Sequence, residues 1–241
     1  SAHMLQPTVS AALFEAEEVT QEQAKQKAAE LLGVAPERLT PAGESAGDLP
    51  AYRFVMDDVT VEVSMAGGEI VSMVNGRELH SGAMPAQEAL DKAAAFLEGQ
   101  GYSSMEPVSY DVSDTLVTAT FAYVGEEVLF YPDSVTVSIA REGGDVVGFS
   151  AREYLMNHSS TRTAGTARVK AEDAGSLAPE GHTTESARYA VILSPGGLEN
   201  HALELTTSMG DRRYLYYLDA LSGDELSLSS LHEDEQGRRM D

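Results

Sequence analysis

The sequence predicts an α+β fold made of three tandem modules, each one helix packed on a small antiparallel β-sheet. Three observations carry this. The phrase "SIAREGGDVVGFSA" (138–151) echoes "SMAGGEIVSMV" (64–74) about 75 residues earlier, and an echo at that spacing marks a repeated unit. A shift of 65 aligns Ala24, Lys27, Ala28, Ala29 and Leu32 with Ala89, Lys92, Ala93, Ala94 and Leu97, a helical pattern met twice. After each helix come short runs with period-two alternation, broken by Gly-Gly or Ser-Gly, as hairpin strands are.

The chain opens with "SAHM" (1–4), which reads as a cloning scar, and residues 1–17 form a lead-in. The first module is assigned to 18–80. In "VTQEQAKQKAAELLG" (19–33) Thr20 and Gln23 have capping-box spacing, and Gly33 stands where a helix would end. "AYRFVM" (51–56), "VTVEVSM" (59–65) and "EIVSMV" (69–74) follow as a meander, Gly67-Gly68 making the last reversal. The second module, 84–157, opens at "PAQEALDKAAAFLEG" (85–99), with Pro85 suited to a helix start. Its strands are 115–124, 127–131, 134–140 and 145–151, with extra length around "YVGEEVLFYPD" (123–133) that suggests a long hairpin.

Residues 158–166 are polar and read as a linker. The third module, 167–231, begins with a weakened helix near 168–178, where Gly175 lowers the propensity. "SARYAVILS" (186–194), "HALELTT" (201–207) and "RRYLYYLDALSGDELSLSSL" (212–231) supply its strands, and 232–241 reads as a frayed tail. Modules of this size have marginal cores alone, so they are expected to share packed interfaces.

Composition narrows function by exclusion. Lys and Arg number 16 against 39 Asp and Glu, a net charge of −23 that repels nucleic acid and anionic lipid. Such a surface either keeps the protein soluble or steers basic partners. No cysteine is present, so disulfides, thiolate metal sites and cysteine nucleophiles are excluded. The histidines outside the scar are scattered, and Asp57-Asp58 and Asp224-Glu225 fall at hairpin turns, where Asp is favoured for backbone reasons. No metal and no cofactor is therefore expected. Glycosidase chemistry needs two carboxylates across a scissile bond, and with so many acids the sequence cannot single out a pair. No P-loop, G-x-S-x-G or G-x-G-x-x-G occurs, and no catalytic residue is assigned.

The large side chains cluster in "LFYP" (129–132), "EYLMNH" (153–158) and "RYLYYL" (213–218). Two readings stand, core packing on alternating strand faces or a protein-binding surface, for which aromatics and Met are favoured anchors. On the second reading the candidate partner-binding residues are Phe130, Tyr131, Tyr154, Met156, His158, Tyr214 and Tyr216.

"FAYVGEEVLFYPDSVTVSIAREGGDVVGFSAREYLMNH" (121–158) and "YLDALSGDEL" (217–226) resemble the YpeB family of spore germination proteins, and the repeated unit resembles the PepSY domain, a small αβ module also found in peptidase propeptides. The resemblance covers about 18–231 and corresponds to the C-terminal region of such proteins. It implies a non-enzymatic protein of the bacterial endospore, outside the inner spore membrane, held there by an N-terminal membrane segment that this sequence does not include. It further implies a partner, the cortex-lytic enzyme SleB, which such proteins stabilise and restrain until germination. A passive scaffold that binds cortex peptidoglycan is a separate reading. The alternatives are a propeptide-like peptidase inhibitor or chaperone, and a cell-wall hydrolase using paired carboxylates.

Overall fold

The computed structural model describes residues 4–5, 13 and 15–241; most of the lead-in, His3 included, lies outside the described residues. The first strand, β1, is Met4–Leu5. Helix α1, Gln21–Leu32, starts from Thr20, whose hydroxyl accepts from the Gln23 amide while the Gln23 side chain accepts from the Thr20 amide. It ends at Gly33 in the left-handed region. Strands β2 (Thr40–Ser45), β3 (Ala51–Met56), β4 (Val59–Ser64) and β5 (Ile70–Asn75) follow as a meander. Helix α2 is Ala86–Gly99, succeeded by β6 (Met105–Val112), β7 (Leu116–Gly125), β8 (Val128–Ala140) and β9 (Val146–Ser150). Two short helices, α3 (Arg152–Asn157) and α4 (Ala174–Leu177), flank the polar segment between them. The remaining strands are β10 (Thr183–Leu193), β11 (Glu199–Met209), β12 (Arg212–Asp219), β13 (Glu225–Asp234) and β14 (Gly237–Met240).

The expected fold class, three modules each with a helix on its own small sheet, is corrected by the strand pairing. Among the described residues all 14 strands belong to one sheet, antiparallel except where β10 meets β8. The physical reason lies in the echoed phrases themselves. Each ends in a strand with a free edge, and unpaired edges seek partners. Here they find each other: β5 and β9 pair antiparallel, with Ser72 opposite Ser150, Met73 opposite Phe149 and Val74 opposite Gly148. The cores merge accordingly, and Ala24 and Ala28 of α1 share one apolar cluster with Ala93 and Leu97 of α2.

The C-terminal third has no helix comparable to α1 or α2. Gly175 weakens α4, and Ala178, which precedes Pro179, is driven to extended backbone (φ −64, ψ 152), so the helix stops after one turn. Its strands close a ring with the central ones. Going round, β6, β7, β8, β10, β11, β12, β13 and β14 each pair with the next, and β14 returns to β6. Each of these strands sends an apolar residue inward: Val108, Ala122, Leu129, Ala190, Ala202, Leu215, Leu231 and Met240, with Tyr131 and Ile192 joining the two halves of the cluster. The tail expected to fray is thus the clasp of the ring. Gly237 opposes Asp111 and Arg238 opposes Tyr110.

Candidate functional site

The seven residues marked in the sequence fall in three places. Tyr131 points into the ring, where its hydroxyl donates to the Glu204 carboxylate; Tyr217 donates to the same carboxylate at 2.7 Å. Arg188 joins this network at 3.0 Å and continues to Glu106 at 2.7 Å. Tyr214 and Tyr216 lie on the outer face of β12. Tyr216 packs with Leu203, Leu205 and Leu218 beneath α4, and Tyr214 tilts against His182 at 4.9 Å. Phe130, Tyr154, Met156 and His158 come together around α3. Phe130 is buried and Met156 packs on the main core, whereas Tyr154 and His158 are partly buried.

Helix α3 explains that grouping. Leu155 plugs into the core, which turns Tyr154 and His158, four residues apart, onto a common outer face. Their rings stack at 4.3 Å with 18° between planes. Tyr102 meets Tyr154 edge-on at 4.9 Å. It is delivered by the exit of α2, where the Tyr102 amide donates to the Leu97 carbonyl at 2.9 Å after a left-handed Gly101. Glu69 arrives from the β4–β5 hairpin, which is held by its amide on the Ser64 hydroxyl at 2.9 Å. With Gln100 and Ser159, these side chains line a groove of about 310 Å³. Sequence reading missed Tyr102 and Glu69. The glycine preceding Tyr102 and the glycine pair before Glu69 were the available signals, since each forces a reversal that presents the next side chain at a rim.

The groove is electronegative. Burial first, then the charges of Asp133, Tyr123 and Glu69, push the Tyr154 hydroxyl up to about 12. Burial, then Glu69 and Tyr154, push Tyr102 further above the usual tyrosine range. No lysine or arginine is among the described lining residues, and Glu69 makes no ion pair among the described residues.

Beneath the groove sits a buried ionic knot. His158 Nδ1 is 2.9 Å from Asp133 Oδ2, and the Arg162 guanidinium grips Asp133 through both Nε and Nη2 while also reaching Glu199. Asp133 and Glu199 are 0% and 1% exposed, so Arg162 is what makes their burial tolerable. Burial works against the Arg162 charge, but its bonds to Glu199 and Asp133 outweigh that and hold it above its ordinary value. The same guanidinium lies over the Phe130 ring at 5.2 Å. Residues 158–166 contain no helix or strand, yet Arg162 pins them to β8 and β11.

Two carboxylate pairs have an arginine between them, Arg162 for Asp133 and Glu199 and Arg188 for Glu106 and Glu204. A guanidinium there fills the space a scissile bond would need. Among the described residues no cluster of three His, Asp or Glu is arranged to hold a metal, and no helix is long and apolar enough to cross a membrane.

Comparison with known proteins adds the following. A family model described as YpeB sporulation, PepSY1 and PepSY2 domains, matches residues 1–164. The sporulation protein YpeB of Halalkalibacterium halodurans is 26% identical over 229 residues, covering 92% of this chain and 51% of the relative. That of Bacillus subtilis is 25% identical over 176 residues, covering 72% and 39%. The chain therefore spans about half the length, or less, of the curated relatives it matches. Among solved structures, the Bacillus megaterium YpeB C-terminal domain superposes with a TM-score of 0.79 at 23% identity, covering 90% of this chain and all of that one, a likeness of fold.

Proposed function

Because this chain belongs to the YpeB family of sporulation proteins, we propose that it is a non-enzymatic binding protein of the spore that holds the cortex-lytic enzyme SleB stable and restrained until germination. The observation that carries the binding reading is the groove at Tyr102, Tyr154 and His158. It combines aromatic walls, a rim carboxylate and a rigid floor, the composition of a protein-recognition pocket. The net charge of −23 supports a partner with a basic face, drawn in by long-range attraction. On this reading the protein works outside the inner spore membrane, tethered by a segment N-terminal to this region, with cortex peptidoglycan close by.

The test is reconstitution. Purified chain mixed with SleB is expected to slow its digestion of cortex fragments and to protect it from added protease. Unchanged digestion together with unchanged proteolysis would refute the proposal.

A further inference from the structure

We infer that the groove between the β4–β5 hairpin, the end of α2 and α3 is a receptor for one basic side chain, a lysine or arginine presented by a protein partner, with Glu69 as its counter-charge. The inference deepens the partner-binding reading above and rests on it for the protein nature of the ligand.

The chemistry of the walls selects the occupant. Tyr102 and Tyr154 stand edge-to-face at 4.9 Å and, with Leu155 and Ala16, form a lining suited to the methylene stem of a long side chain. Glu69 is exposed at the rim and lines the same groove as the two rings. Most arginines in this chain already have a carboxylate partner: Arg53 has Glu62, Arg77 has Asp145, Arg162 has Asp133, Arg188 has Glu204 and Arg213 has Glu185. Glu69 has none among the described residues, and it shares the groove with two aromatic rings, whose faces favour a cation. An acidic partner group would meet Glu69 and would be repelled. A neutral apolar group would leave Glu69 uncompensated. A cation with an aliphatic stem satisfies the whole surface.

The floor is preorganised for this. His158 is fixed from below by Asp133 at 2.9 Å and holds Tyr154 by stacking, so the ring does not need to be ordered on binding. Gln100, Ser159 and Ser160 supply acceptors around the mouth for the remaining N–H groups of an ammonium or guanidinium.

The experiment uses Nα-acetyl-lysine methylamide as probe and its uncharged norleucine counterpart as control, titrated into the whole chain with NMR detection of the tyrosine rings. The lysine probe is expected to shift the Tyr102 and Tyr154 ring signals saturably while the norleucine probe does not. Glu69→Gln, a change at an exposed position, is expected to weaken lysine binding about fivefold, as for loss of one partly exposed ion pair. Shifts spread evenly over the acidic surface, equal response to norleucine, or an unchanged affinity in Glu69→Gln each overturn the inference. Should lysine bind as expected while Glu69→Gln leaves association with SleB untouched, the cation site stands and it is the SleB reading of this groove that fails.

Discussion

At the scale of residues, a few positions decide whether the fold closes. A Cβ on Gly237 would stand 1.9 Å from the Tyr110 carbonyl oxygen, at the two-residue pairing of β14 with β6. Gly237→Ala is therefore expected to open the ring there, read as accelerated amide exchange in 105–112 and 237–240 with α1 unaffected. Arg162→Ala leaves Asp133 and Glu199 buried without a counter-charge, a loss on the order of 3–5 kcal/mol in unfolding free energy by urea titration. His201 gives a pH signature. Burial lowers its pKa, and Asp219 and the Thr166 backbone only partly oppose that. The unfolded chain, with histidine at about 6.5, binds the proton more readily, so this contribution is intact above that pH and is lost as pH falls below it. His201→Leu is expected to flatten the fall of the urea midpoint between about pH 7 and pH 5 relative to the parent. None of these roles shows in the sequence, because each depends on a neighbour far along the chain.

At the scale of elements, local rules succeed where local forces decide. Thr20 and Gln23 cap α1 reciprocally and Gly33 ends it, and Thr20→Ala is expected to cost about 1 kcal/mol of stability by thermal unfolding. The meander strands lie close to their expected positions, since alternation is written in the chain. Two strands expected separately, 127–131 and 134–140, run on as β8, which takes β10 along one half and β9 along the other. Besides β1, which falls in the lead-in, three strands escaped notice: β2 reads "TPAGES" and carries a bulge between Pro41 and Glu44, β6 contains Pro107, and β14 is four residues long. Each is made a strand by the neighbour that hydrogen-bonds to it. The groove shows the same division. Tyr154 and His158 were legible as an aromatic cluster, whereas Tyr102 and Glu69 join them only through the hairpin and helix exit that bring three chain segments together.

At the scale of the molecule, one sheet replaces separate units, and that changes how the protein should unfold. With α1 and α2 on a common core and β5 paired to β9, the N-terminal and central parts are expected to melt in one cooperative transition, checked by a calorimetric enthalpy equal to the van't Hoff value. Association with a basic partner should slow about tenfold between ~0.05 and ~0.5 M salt, measured as the on-rate in stopped flow. The sequence by itself determined the two long helices, most strands and the acidic surface, because propensity, alternation, capping and charge are properties of neighbouring residues, and its quoted stretches pointed to the YpeB family. Only the tertiary structure decided that similar edge strands fuse the first two units, that the last residues close a ring, and that Arg162 and Glu69 stand where they do. Edge pairing and charge burial are settled between residues tens of positions apart, and no local pattern records which free edge or which buried carboxylate will meet its partner.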